Sequence, residues 1–190
     1  MILRVTKLGE EVLRQKAEPV AEVTDEIRQL CEDMFETMYA DNGVGLAGPQ
    51  VGKSLRLFVL EADDNVRRVF INPQIIKTSE EVGEYDEGCL SVPGVYETIT
   101  RPLQVTVQAI NEKGKPFVLE ADGLLARIIQ HENDHLDGVL FIDRGDEEFA
   151  EKTVEQFKKM AERAEQKAKA KEAKAKKIAA KIAAKESKNK

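Results

Sequence analysis

Asp122-Gly123-Leu124-Leu125-Ala126-Arg127-Ile128-Ile129-Gln130-His131-Glu132-Asn133-Asp134-His135-Leu136-Asp137-Gly138 holds both histidines of the chain. Asp122 is a candidate N-cap and Gly138 a C-terminal stop, so the segment between them reads as one helix. A spacing of four is slightly more than one helical turn. Both imidazoles therefore leave the same face and can grip one metal ion, with Glu132 beside them. That outlines a catalytic metal site. Two unrelated histidines on an ordinary amphipathic helix are the alternative, and a third ligand decides between them.

Upstream of this helix the order of elements predicts the rest of the fold. Thr24-Asp25-Glu26 supplies an N-cap and first-turn acids. Ile27, Leu30, Cys31, Met34, Phe35, Met38 and Tyr39 then repeat at helical spacing until Asn42-Gly43 stops the helix. Cys31 falls on that stripe and reads as a small core residue. Strands are expected near Leu55–Leu60 and Val69–Asn72, the second closed by Pro73. Leu103–Ile110 and Phe117–Leu119 flank the turn Asn111-Glu112-Lys113-Gly114 as a hairpin. Helix, strands, then helix imply an α+β fold with mostly antiparallel sheets packed around a central motif-bearing helix.

A catalytic ion usually takes three protein ligands and keeps one position open. In one zinc-protease arrangement the third ligand is a histidine six residues past the second, but that position is Phe141. A glutamate on a following helix is another arrangement, and Glu147, Glu148, Glu151 and Glu155 are available in a charged stretch. Cys89, in Glu87-Gly88-Cys89-Leu90-Ser91-Val92-Pro93, is the stronger candidate. A thiolate binds borderline and soft divalent metals well, and Gly88 permits close backbone approach. A buried free thiol is its bland alternative. A third segment, Gly43-Val44-Gly45-Leu46-Ala47-Gly48-Pro49-Gln50-Val51-Gly52, is too rich in small residues for a regular element. It lacks the Lys-Ser/Thr of a phosphate loop, and it offers Gln50 as a neutral donor to an oxygen acquiring charge.

Those three segments resemble, in order and spacing, the three defining motifs of peptide deformylases, over roughly Leu3 to Arg144. The resemblance implies a hydrolase that removes the formyl group from the N-terminal formyl-methionine of newly made polypeptides and releases formate. It makes Cys89, His131 and His135 the metal ligands and Glu132 the acid/base. Gln50 and the backbone N–H of Leu90 become the oxyanion donors. It also implies ferrous iron, Fe2+, as the ion, with Zn2+, Ni2+ or Co2+ able to substitute. Val44, Gly45, Leu125 and Ile128 are candidate walls of an apolar pocket for the methionine side chain. The main departure is Gly48, where the family usually has alanine, which bears on the rigidity of the loop. A zinc endopeptidase and a non-catalytic ribosome-docking protein are the competing classes, and release of formate from a formyl-Met peptide separates the first reading from both.

The 190 residues, 42% hydrophobic, suffice for one domain with a sizeable core plus an appendage. No apolar run is long enough to span a membrane, and no export signal opens the chain, so a cytoplasmic protein is expected. Two cysteines 58 positions apart, Cys31 and Cys89, fit reduced thiols there. The net charge of −6 hides an asymmetry: residues 158–190 balance at +9 and residues 1–157 at −15. Two parts are therefore expected, a catalytic domain over 1–157 and a Lys/Ala-rich basic tail over 158–190. The tail favours helix by propensity but has little apolar surface to dock with, so a protruding, partly frayed helix is expected. Neither a membrane nor DNA is expected as a partner. The tail charge suits a polyanion, and the resemblance implies docking on ribosomal RNA through a C-terminal helix.

Overall fold

The computed structural model describes Met1–Lys188, with side chains as far as Lys177. Contacts divide the chain at Ala150, into a compact unit Met1–Ala150 and a second from Glu151 onward. In the first unit a 3-10 turn at Glu11–Arg14 precedes helix α1 (Asp25–Ala40), whose N-cap Thr24 accepts a hydrogen bond from the Ile27 N–H. Seven strands follow: β1 (Gly45–Ala47), β2 (Leu57–Glu61), β3 (Arg67–Thr78), β4 (Val82–Cys89), β5 (Val92–Pro102), β6 (Gln104–Ile110) and β7 (Pro116–Asp122). Helix α2 (Gly123–Leu136) carries both histidines, and helix α3 starts at Glu147. All pairings between these strands are antiparallel, in a five-stranded sheet ordered β1-β2-β3-β6-β7 and a separate hairpin β4-β5. The α+β class is as expected.

Strand β2 is where the two helical layers meet. Successive side chains of a strand point to opposite faces. Leu57 and Val59 pack with Met34, Phe35 and Met38 of α1, whereas Phe58 and Leu60 pack with Ala126, Ile129 and Leu136 of α2. Both faces are therefore apolar, and all four β2 residues are fully buried. Cys31 belongs to the α1 layer, and burial pushes its thiol up to about 12, so it is an inert core residue as expected.

The structure corrects the sequence reading at several points. Strand β3 does not stop at Pro73. Asn72 takes a positive φ of 51° in a register shift between Ile71 and Gln74, and its side chain bonds both the N–H and the carbonyl of Val20. A proline is tolerated in such a bulge because no ladder donor is required of it. The long β4-β5 hairpin was not anticipated, because most of its residues are exposed and it shows no alternating apolar face. Asp122 occupies the N-cap of α2 in extended geometry without a side-chain cap bond, and Gly138, with φ of 72°, lies just past the end of the helix. Helix α3 runs continuously over Glu147–Lys188, so the expected boundary at 157/158 falls inside it. The last two residues of the tail, and its side chains from 178 onward, lie outside the described residues. No helix among the described residues is long and apolar enough to cross a membrane.

Candidate metal centre

Helix α2 and the end of β4 bring Cys89, His131 and His135 together, with one ligand atom of each within 4.8 Å of the others. The Cys89 Sγ lies 3.3 Å from the His135 Nε2. No glutamate of the charged stretch after α2 belongs to this cluster. Phe141, at the zinc-protease third-ligand position, instead stacks its ring against His131 at a centroid distance of 6.0 Å.

The orientation of His131 is set from behind. Its Nδ1 lies 2.8 Å from the Glu87 Oε2, which leaves Nε2 for an ion. Glu87 is buried and bonded in turn by Arg101, at 2.7 and 3.0 Å, and by Arg127 at 3.0 Å. Arg101 also reaches Asp134 at 2.7 Å, and Arg144 bonds the same carboxylate at 2.6 Å, which ties α2 to the hairpin. Burial alone would raise the Glu87 carboxyl, but the His131 and Arg101 hydrogen bonds hold it down at about 2. Burial opposes charge on His131 as well, yet the hydrogen bonds to Cys89 and Glu87 raise its pKa. His135 is shifted the other way, by burial and then by His131. A sulfur with two imidazoles, their ligand atoms within 4.8 Å of one another, fits a borderline divalent metal.

Glu132 is 4% exposed and lies over this cluster's side of the cleft. Burial pushes its carboxyl up to about 7, and its Oε2 has no hydrogen-bond partner among the described residues. The other carboxylate oxygen presses on Gly45, where a Cβ would collide with it, so glycine is required there by close approach. Gln50 is also fixed. Its Oε1 accepts from the Ala47 N–H at 2.8 Å, which turns the Nε2 donors toward the Cys89 Sγ and the Ser91 Oγ, each at 3.3 Å. Leu90 is half-buried at the hairpin tip and lines the same cleft. Gly48 leaves no void: a Cβ there would lie 2.6 Å from the Leu55 carbonyl oxygen.

The cleft encloses about 650 Å³. Val44, Gly45 and Ile128 line it, but Leu125 does not; it packs against the α2 core layer, and Leu124 lines the cleft in its place. Lys7, Tyr85, Tyr96 and Arg127 also line it and were not singled out from the sequence. For Glu87 a signal existed. It stands two residues before Cys89 on one strand, and that spacing puts both side chains on one face.

The profile of polypeptide deformylases matches residues 2–151. A peptide deformylase of Treponema pallidum is 53% identical over 140 residues, covering 74% of this chain and 86% of that protein. The structure is similar to a peptide deformylase of Legionella pneumophila, at 42% identity and TM-score 0.77, over 86% of this chain and 99% of that one. It is likewise similar to one of Synechococcus elongatus in complex with actinonin, at 45% identity and TM-score 0.76, over 81% and 85%. A match across the whole catalytic body, with the Cys/His/His cluster assembled, means that the chain belongs to the polypeptide deformylase family, metal-dependent hydrolases that remove the formyl group from N-terminal methionine.

Proposed function

We propose that this chain deformylates nascent polypeptides in the cytoplasm with Cys89, His131 and His135 holding a ferrous ion, and that the basic C-terminal helix docks it on ribosomal RNA. The observation that carries the catalytic part is convergence. Glu132, with one carboxyl oxygen lacking a hydrogen-bond partner among the described residues, and Gln50, with its amide 3.3 Å from the Cys89 Sγ, line one cleft with Cys89 and His131. An ion held there supplies Lewis acidity, which makes water a nucleophile near neutral pH. Glu132 accepts the proton as the water oxygen adds to the formyl carbon. The Gln50 Nε2 and the Leu90 N–H donate to the carbonyl oxygen as it gains charge. Glu132 then delivers the proton to the nitrogen as the C–N bond breaks, leaving formate and a free amine. Val44, Gly45 and Ile128, with Leu124 in place of Leu125, form the wall offered to the methionine side chain.

The docking part rests on charge: +9 over residues 158–190 against −15 before them. Along α3 the pairs Glu155–Lys159, Glu165–Lys169 and Glu172–Lys176 neutralise only some of the lysines. One experiment tests both parts. Formate release from a formyl-Met peptide and co-sedimentation with ribosomes are measured for the full chain and for a truncation after Lys159. Release is expected from both proteins at nearly the same rate. Co-sedimentation is expected only of the full chain, weakening about 10³–10⁵-fold between 50 and 200 mM salt for roughly 6–10 phosphate contacts. No formate from metal-replete protein would sink the catalytic assignment, and equal co-sedimentation the docking one.

A further inference from the structure

Three consecutive residues near the start of the chain, Thr6, Lys7 and Leu8, bond to both segments that carry the oxyanion donors. The Thr6 N–H donates to the Gln50 carbonyl at 2.8 Å, and the Thr6 hydroxyl donates to the Pro49 carbonyl at 3.0 Å. The Lys7 ammonium donates to the Leu90 carbonyl at 2.8 Å, and the Leu8 N–H donates to the Ser91 carbonyl at 2.8 Å. Leu90 and Ser91 are the two residues between the paired Cys89 and Val92, so both carbonyls of the hairpin tip are held from outside the hairpin. The direct links between the two segments, from Gln50 Nε2 to Cys89 Sγ and to Ser91 Oγ, are longer, at 3.3 Å each. Thr6 and Leu8 are buried, while Lys7 is half-buried in the wall of the cleft.

We infer that Thr6–Leu8 is a clamp that fixes the distance between the Gln50 and Leu90 donors, with Lys7 the positioning residue for Leu90. This rests on the reading of Gln50 and Leu90 as oxyanion donors. Donors stabilise a developing charge only if they are held where it will appear, and a misplacement of about 1 Å can cost about 10²-fold in rate. The bond from Lys7 is charge-assisted and therefore the strongest of the four. Because the clamp acts where charge develops, its loss falls on kcat and leaves KM in place.

The test compares Lys7→Met, which keeps the stem without the donor, with Lys7→Arg, which keeps a donor. Thr6→Val is made alone and together with Gln50→Ala. Lys7→Met is expected to lower kcat by about 10- to 100-fold, with KM, bound metal and melting temperature near those of the parent, and Lys7→Arg to recover most of the loss. Thr6→Val is expected to slow the parent but not the Gln50→Ala protein, since a residue that acts through Gln50 has nothing left to position. An unchanged kcat in Lys7→Met overturns the clamp. So does a raised KM with kcat intact, because the ammonium then meets substrate directly, or a melting temperature that falls in step with kcat in both lysine variants. If Gln50→Ala itself costs less than about 10-fold, against about 10²–10³ for a lost oxyanion donor, the donor reading fails and the clamp with it. A full Gln50 effect beside an unaffected Lys7→Met refutes the clamp alone.

Discussion

At the floor of the cleft Glu87, Gln50 and Glu132 are buried, and Glu87 and Gln50 are each held by several hydrogen bonds. At its rim Val44, Tyr85 and Tyr96 are 48%, 54% and 71% exposed. The floor is built from polar groups that fix one another's angle, the rim from apolar groups that meet solvent. Chemistry needs groups held to fractions of an ångström, whereas an apolar side chain is bound by area. Damage to the floor should therefore appear in metal content or kcat, and damage to the rim in KM.

The largest effects separate two kinds of floor residue. Cys89→Ala removes one of the three proposed ligands and is expected to lose the metal and the activity together, as measured by metal analysis of the purified protein and formate release. Glu132→Gln keeps the ligand set, so the metal should stay while kcat falls by about 10²–10⁴-fold, the usual worth of a general acid–base. Full metal and full activity in the Cys89 variant would remove it from the centre.

A smaller effect is expected one layer back. Glu87→Gln takes the charge from the group that orients His131, leaves Arg127 without its carboxylate and leaves Arg101 with Asp134 alone. Metal affinity should fall by about 10- to 100-fold, the usual cost of losing such a partner, as read by competition with a chelator. An unchanged affinity would mean that ring packing by Phe141 suffices to aim the imidazole.

The sequence carried the Cys89–His131–His135 cluster more clearly than its supports. His131 and His135 were legible because helical spacing converts directly into a shared face, and Cys89 because it sits among residues that do not suit an ordinary core strand. Glu87 looked like one more acid in a charged segment. Its partners Arg101 and Arg127 lie 14 and 40 residues away, and only the fold brings them together. Leu124 lines the cleft where the sequence points to Leu125, because neighbouring leucines are indistinguishable by type and a helix turns by about 100° between them. The strand through Pro73 was hidden because a bulge, invisible in local pattern, removes the penalty for proline. Gly45 was read as a wall of the methionine pocket. It lines the cleft, and its missing Cβ also gives Glu132 its place.

The smallest effect tests whether rim and floor are in fact separable, and Tyr96 is the residue on which to ask. Its side chain is mostly in solvent, yet one edge of the ring lies against Gly88, where a Cβ would be 2.6 Å from the Cε1 atom. Gly88 immediately precedes Cys89, so the ring touches both the cleft and the backbone that carries a proposed metal ligand. If Tyr96 only offers area, Tyr96→Ala forfeits about 1 kcal/mol of apolar contact. KM for a formyl-Met tripeptide should then rise about fivefold, with kcat and metal content unchanged, and Val44→Ala should behave alike. If the ring instead braces the Gly88–Cys89 backbone, kcat or metal affinity falls while KM holds, and Tyr96→Phe, which keeps the ring, restores it. That outcome would move Tyr96 from the rim to the floor and show that the hairpin transmits strain from the surface to the ligand.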